Sequence, residues 1–176
     1  MTSTMTRPKG PFTVADYLRL PEGAPYVLVG GHLLMSPSPT LRHQKIIMRI
    51  AFALLPAAES RGGVVLSDLD TGLEEDTIVR PDVLVLLDEA ARSNDPFQRR
   101  PALAVEILSP GNEDYDRGLK WEAYRRSRLP EVWLVDPERR SVTVQRPDRP
   151  DEEVIGRIAP AFAPELRLDL ARLLAD

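Results

Sequence analysis

The sequence contains no cysteine and only two histidines, His32 and His43. Without thiols the chain cannot form a disulfide, a thiolate nucleophile or a cysteine-based zinc or iron–sulfur site. With two histidines, one chain cannot supply a three-histidine metal centre. The composition therefore argues against a transition-metal enzyme and permits a site in which carboxylates bind a hard cation.

Long apolar runs are also missing. No stretch approaches the ~18 consecutive apolar residues that a membrane-spanning helix needs. The N-terminal sequence MTSTMTRPKGPFT lacks the apolar segment of a secretory signal. We therefore expect a cytoplasmic protein without a membrane partner. The net charge of −4 argues against extended nonspecific nucleic-acid binding but permits a local basic patch.

The length of 176 residues fits one domain. We assign a loose arm to residues 1–11 and the domain to residues 12–176, because the arm is polar and contains two prolines. Hydrophobic spacing predicts helices over 14–20, 41–59, 113–128 and the tail 166–174. Alternation and short apolar runs predict strands over 26–29, 32–35, 64–69, part of 78–87, 103–108, 132–135, 141–145 and 153–158. The strand–helix–strand crossover over 103–135 predicts an α/β (α+β) fold, a mixed sheet with flanking helices.

Two carboxylates interrupt apolar runs. Glu106 lies in the middle of the run LAVEIL, and a buried carboxylate needs a partner or a cation. Asp82 follows Pro81, which suits the first residue of a strand or a bulge, and that geometry can direct Asp82 into a cleft. On adjacent strands the two acids would repel unless a divalent cation, Mg²⁺ or Mn²⁺, lay between them. Alternatively, Asp82 is a turn residue and Glu106 faces solvent from an edge strand.

A third feature is the four-residue spacing of Asp116, Lys120 and Tyr124, which places them on one helix face. This helix follows the Glu106 strand through the turn 109–111, so Lys120 can reach the carboxylates. A lysine there can stabilise developing phosphate charge or orient the attacking water. The alternative is an exposed Asp–Lys pair contributing a few tenths of a kcal/mol.

These residues resemble the PD-(D/E)xK nuclease superfamily and, within it, the Uma-two branch. The matching segments are RPDVLVLLDE (80–89) and PALAVEILSPGNEDYDRGLKWEAYRRSRLPEVWLVDP (101–137), and the resemblance extends over residues 11–174. It implies a restriction-endonuclease-like fold with a central mixed sheet flanked by helices. It also implies an endonuclease that hydrolyses DNA phosphodiesters with a cation-activated water, Mg²⁺ or Mn²⁺ as cofactor and a homodimeric state.

The resemblance assigns roles to individual residues. Asp82 and Glu106 become metal ligands. The superfamily lysine two residues after the second carboxylate is replaced by Leu108, and its role passes to Lys120 on the next helix. Supporting residues are Asp116, Tyr124 and His43.

One part of the family pattern is absent. Members usually carry Tyr-Glu-Leu-Ile-Asp-Gly-Glu-Leu at the first hairpin, whereas here Val27, Gly30 and His32 occupy the acidic positions. The loss of a third carboxylate implies weaker metal binding or reduced activity. The alternative function is therefore a catalytically weakened nucleic-acid-binding or protein-interaction module on the same fold.

Arginine clusters give a separate prediction. The chain has 23 basic residues, and all but Lys9, Lys45 and Lys120 are arginine. A surface that follows the phosphates of a nucleic acid needs such residues. The predicted nucleic-acid contacts are Arg99, Arg100, Arg125 and Arg126; the alternative is that each is a solvated surface arginine.

Overall fold

The computed structural model describes residues 10–35, 39–109 and 116–175. The side chains of Glu89, Asp116 and Arg117 are outside this description. Most of the predicted arm, 1–9, and the start of the predicted helix 113–128 are outside it too. The assignment of one domain to 12–176 stays a prediction.

Four α-helices occur within these ranges: α1 (Val14–Tyr17), α2 (Leu41–Glu59), α3 (Trp121–Ser127) and α4 (Leu170–Leu173). A 3₁₀ turn covers Asp88–Arg92, and a π-helical turn, Asp116–Lys120, leads directly into α3. The prediction for α2 is confirmed at both ends. Its N-cap is Thr40, whose side chain accepts a hydrogen bond from the N–H of His43, as expected of a threonine that caps a helix.

The strands form three sheets in the described part of the chain. A four-stranded sheet has the order β2-β1-β5-β4, a six-stranded sheet the order β10-β9-β8-β7-β6-β3, and β11 pairs with β12. Their bounds are β1 (Tyr26–Val29), β2 (His32–Met35), β3 (Val64–Leu66), β4 (Thr71–Glu74), β5 (Thr77–Val79), β6 (Val83–Leu86), β7 (Leu103–Ile107), β8 (Val132–Asp136), β9 (Ser141–Gln145), β10 (Glu152–Ile155), β11 (Arg157–Ile158) and β12 (Leu168–Asp169).

The six-stranded sheet is mixed, as predicted. Strands β7 and β8 run parallel because the crossover through α3 separates them, and the other neighbouring pairs are antiparallel. One face packs against α2 and α4. The other face packs against α3 and the four-stranded sheet. The sheet therefore lies between two layers and is covered on both faces.

Several of the sequence expectations were wrong in detail. The helix predicted over 14–20 ends at Tyr17, and the strand predicted over 153–158 divides into β10 and β11 of different sheets. The run 78–87 is interrupted at 80–82, as the sequence indicates, but its two parts, β5 and β6, belong to different sheets. Pro81 lies between them, and a residue without a backbone N–H cannot continue a hydrogen-bonded strand. The strand β4 was missed altogether.

The hairpin between β1 and β2 follows the prediction. Gly30 has φ +56° and Gly31 has φ +77°, and a two-residue turn with positive φ at both central positions matches the twist of the paired strands. None of the helices in the described ranges is long and apolar enough to cross a membrane.

The packing of α2 yields a test of stability. Leu54 is fully buried against the six-stranded sheet, whereas Phe52 on the same helix is 65% exposed. We expect Leu54→Ala to lower the free energy of unfolding by about 2–5 kcal/mol, because it leaves a cavity. Phe52→Ala should change it by less than about 0.5 kcal/mol. Urea unfolding of both variants measures the difference, and equal losses would contradict the packing of α2.

Candidate active site

Strands β6 and β7 bring the two predicted carboxylates together. Their antiparallel register pairs Val83 with Val105. Asp82 directly precedes β6 and Glu106 lies in β7, so the two acids come from neighbouring strands of one sheet. Their side-chain partners come from different layers, since Asp82 meets α2 through His43 and Glu106 meets α3 through Tyr124.

Two contacts fix the carboxylate of Asp82. The backbone N–H of Ile107 donates a hydrogen bond of 2.7 Å to Oδ2. On the other side, Nε2 of His43 lies 3.0 Å from Oδ1. His43 is in the first turn of α2, so the position of that helix determines where its imidazole meets Asp82. The carboxylate of Asp82 is therefore oriented by two elements, α2 at Oδ1 and β7 at Oδ2.

Glu106 is a buried carboxylate with a cation and a hydroxyl beside it. Lys120 Nζ donates to Oε2 at 2.6 Å, and the hydroxyl of Tyr124 donates to Oε1 at 2.5 Å. Lys120 ends the π-helical turn, and Tyr124 follows four residues later on α3. Because a buried carboxylate is costly without a compensating charge, Lys120 stabilises Glu106 in its position within the sheet.

The donor set fits a hard divalent cation. Ionised carboxylates offer about four lone-pair sites each, so the contacts of Asp82 with His43 and Ile107 leave oxygen lone pairs that a cation can use. Mg²⁺ is usually bound through one or two carboxylates, with waters and substrate phosphates completing its shell. No group of three or more His, Asp or Glu arranged for a metal occurs in the described ranges. Within the described ranges, a cation here would take its carboxylate ligands from Asp82 and Glu106.

A second polar network holds the segment before Asp82. Arg80 Nε donates to Asp70 Oδ1 at 2.7 Å, and the Tyr17 hydroxyl donates to the same oxygen at 2.8 Å. Burial raises the pKa of Tyr17, and the hydrogen bond to Asp70 raises it further. These hydrogen bonds join α1 and the four-stranded sheet to the segment Arg80-Pro81-Asp82. The sequence offered one signal for it, the arginine immediately before Pro-Asp.

The positions of the missing acidic residues supply no carboxylate. Val27 is buried in the apolar cluster that also contains Tyr124. Gly30 forms the hairpin turn, and His32 is exposed at the start of β2. The departure from the family pattern at the first hairpin is therefore structural: an apolar side chain contributes to the core there.

The predicted nucleic-acid contacts have intramolecular partners. Two of these arginines bind backbone carbonyls, Arg99 at Asp70 and Arg100 at Ser127, each at 2.8 Å. The other two form ion pairs, Arg125 with Asp151 at 2.7 Å and Arg126 with Glu74 at 2.9 Å. Their role in binding nucleic acid stays a prediction. So does the role of Asp116, whose side chain is outside the described residues.

Comparison with known protein families identifies the family of this chain. The family model of Uma2, described as "Putative restriction endonuclease", matches residues 14–171. The chain belongs to the Uma2 family. The resemblance drawn from its motifs is thereby confirmed across nearly the whole sequence.

A solved structure has the same fold. It is a crystal structure from Anabaena variabilis, described as "a putative nuclease belonging to DUF820", with a TM-score of 0.81 and 23% identity. The match covers 94% of this chain and 98% of that chain. At this identity the likeness establishes the fold, so the restriction-endonuclease-like architecture is confirmed.

Other similarities are more limited. An "Uncharacterized protein slr1290" from Synechocystis is 40% identical over 55 residues, which is 31% of this chain and 29% of that protein. The match therefore spans less than a third of the curated relative. A cryo-electron microscopy structure of a DrdV–DNA complex has a TM-score of 0.38 and 14% identity, with 76% of this chain and 13% of that chain covered. This likeness is too weak to establish a shared fold.

The ion pair of Glu106 can be tested by its effect on stability. We expect Lys120→Met to lower the free energy of unfolding by about 3 kcal/mol, because it leaves a buried carboxylate without its cation. Adding Glu106→Gln should restore at least about 1 kcal/mol, since the uncompensated charge is then gone. Urea unfolding of the two single variants and the double variant gives the interaction free energy between Lys120 and Glu106.

Lys45→Met is the matched control, because Lys45 lies exposed on α2. It should change the free energy of unfolding by less than about 0.5 kcal/mol. A loss in Lys120→Met as small as in Lys45→Met would show that the pair does not stabilise the fold.

Proposed function

We propose that this protein is a nuclease that hydrolyses phosphodiester bonds in DNA with the help of a divalent cation, Mg²⁺ or Mn²⁺. The observation that carries the proposal is the placement of Asp82 beside β7, where it accepts a hydrogen bond from the residue after Glu106, with Lys120 Nζ 2.6 Å from Glu106. Membership of a family described as "Putative restriction endonuclease" supports the same reaction class.

Asp82 and Glu106 would hold the cation through their carboxylate oxygens. The N–H of Ile107 orients Asp82, and the hydroxyl of Tyr124 orients Glu106. When bound, the cation supplies a water of lowered pKa and neutralises charge on the phosphate.

Lys120 has a different task from the two acids. Two carboxylates alone would repel a phosphodiester, so a substrate can approach only if positive charge accompanies them. The ammonium group beside Glu106 provides part of that charge within a largely buried site. There it can stabilise the negative charge that develops on phosphate oxygens during hydrolysis. His43, in contact with Asp82, acts as a positioning residue.

A second candidate function is a nucleic-acid-binding or protein-interaction module that no longer cleaves. It is favoured by the apolar Val27 at a position where the family pattern has an acid, and by the lack of a three-residue metal cluster in the described part of the chain. The presence of all three charged side chains, Asp82, Glu106 and Lys120, favours the nuclease over a module that does not cleave.

The finer biological assignment follows the family resemblance. We propose that the protein works in the cytoplasm as a homodimer. Sedimentation velocity at micromolar concentration measures the mass directly, and a monomer at all concentrations would contradict the dimer.

The catalytic assignment predicts which changes abolish cleavage. Asp82→Asn, Glu106→Gln and Lys120→Met should each reduce cleavage of DNA by at least about 100-fold, the lower range for loss of a catalytic group. The assay follows supercoiled, linear and single-stranded DNA with Mg²⁺ or Mn²⁺. Calorimetry of the same cations should show weaker binding to Asp82→Asn and Glu106→Gln.

Glu22→Gln serves as the control, because it removes one carboxylate from an exposed position without touching the site. It should cleave and bind cations like the unaltered protein. Cation binding that persists unchanged in both acid variants would contradict the proposed site. Specific DNA binding without cleavage by the unaltered protein would favour the second candidate.

A further inference from the structure

An arginine-lined cavity adjoins the candidate active site. It has a volume of about 320 Å³ and lies between the C-terminal end of α3 and the segment that follows β9. We call it the arginine pocket, defined by Arg125, Arg128, Arg146 and Arg149, which line it together with Tyr124 and Asp148. Its size is at the lower end of the range for small-molecule sites.

The pocket is rich in guanidinium groups. Four arginines and one aspartate line it. Three of the arginines are paired with carboxylates, Arg125 with Asp151, Arg128 with Asp148 and Arg146 with Glu131, so among the described residues the positive charge of Arg149 remains uncompensated. Planar guanidinium groups bind phosphate with two parallel hydrogen bonds, which makes arginine a preferred phosphate ligand. The pocket therefore has the chemistry of an anion site.

Two of the arginines are available for a ligand. Arg149 is exposed and makes no hydrogen bond or ion pair within the residues that the structure describes. Arg128 pairs with Asp148 at 2.6 Å, and their side chains are 61% and 74% exposed. Such exposed pairs contribute little to stability, so Arg128 can exchange the carboxylate for a phosphate.

The other two arginines are held in fixed positions. Arg125 pairs with Asp151 at 2.7 Å. Arg146 pairs at 2.8 Å with Glu131, which is fully buried. Because these anchors fix the guanidinium groups before a ligand arrives, less rotamer entropy is lost on binding.

Tyr124 belongs to both the pocket and the candidate active site. It lines the arginine pocket, and its hydroxyl donates to Glu106. The helix α3 therefore contributes residues to the pocket and to the surroundings of Glu106.

We propose that the arginine pocket binds a backbone phosphate of the nucleic-acid strand. The identity of the ligand rests on the proposed function. The cavity is large enough for a phosphate with part of its sugar. A mononucleotide or inorganic phosphate offers the same chemistry, so the experiment separates these sources from a strand.

Binding is measured without cleavage. A fluorescently labelled DNA strand without terminal phosphates is titrated in the presence of chelator, and anisotropy reports the dissociation constant at several salt concentrations. We expect the double variant Arg128→Gln/Arg149→Gln to bind roughly tenfold more weakly than the unaltered protein. The slope of log affinity against log salt should fall by about one, because one phosphate contact is lost.

The matched control removes the same charges elsewhere. Arg19 forms an exposed ion pair with Asp16, like that of Arg128, and Arg167 is exposed, like Arg149. Arg19→Gln/Arg167→Gln should bind the strand as the unaltered protein does. Equal weakening in both double variants, or no change in the pocket variant, would overturn the proposal. Thermal unfolding of all variants verifies that the fold is retained.

Competition identifies the source of the phosphate. We expect inorganic phosphate and adenosine monophosphate to displace the strand only at concentrations far above its dissociation constant. If these compounds bind tightly and the strand does not bind, the pocket takes a free phosphate and the proposal is wrong.

The pocket and the nuclease assignment fail in different ways. If the pocket variant loses strand binding while the unaltered protein shows no cleavage with Mg²⁺ or Mn²⁺, the proposed function fails and the pocket stands. If the unaltered protein cleaves, and the pocket variant binds and cleaves equally well, the pocket fails and the function stands.

Discussion

The buried carboxylate of Glu106 determines how the helix α3 packs on the central sheet. A negative charge inside the central sheet is tolerated because Lys120 and Tyr124 both donate to it. Both donors come from the crossover that returns the chain to β8, so the helix must pass over this face of the sheet in one orientation. The same packing positions Tyr124 against the arginine pocket. The architecture and the chemistry of the site therefore depend on one interaction.

Much of the fold is determined by local pattern. The helix α2 was predicted at both ends because its apolar spacing follows one helical face, and the structure adds Thr40 as its N-cap. The crossover between β7 and β8 followed from an apolar strand, a helical segment and a second strand. By contrast, β4 has the sequence TGLE, with a single large apolar residue, and pairing with β5 stabilises it. Likewise, nothing local shows that β5 and β6 join different sheets.

The site divides in the same way. The common helix face of Lys120 and Tyr124 could be read from their spacing, and the odd carboxylate of Glu106 from its apolar surroundings. The contact between His43 and Asp82 could not, since it depends on where the start of α2 lies against the end of β6. The hydrogen bond from Tyr17 to Asp70 also required the tertiary structure, because Tyr17 lies in α1, Asp70 directly precedes β4, and the two are 53 positions apart.

The spacing of these contacts along the chain has a consequence for partial unfolding. The bond from Lys120 to Glu106 closes a segment of 14 residues, whereas the one from His43 to Asp82 closes 39. A shorter loop loses less chain entropy when its ends are brought together. The contact between β7 and the segment that leads into α3 is therefore less costly to form than the contact between α2 and Asp82. Local opening that begins at the start of α2 would release Asp82 first and leave the lysine–glutamate half assembled.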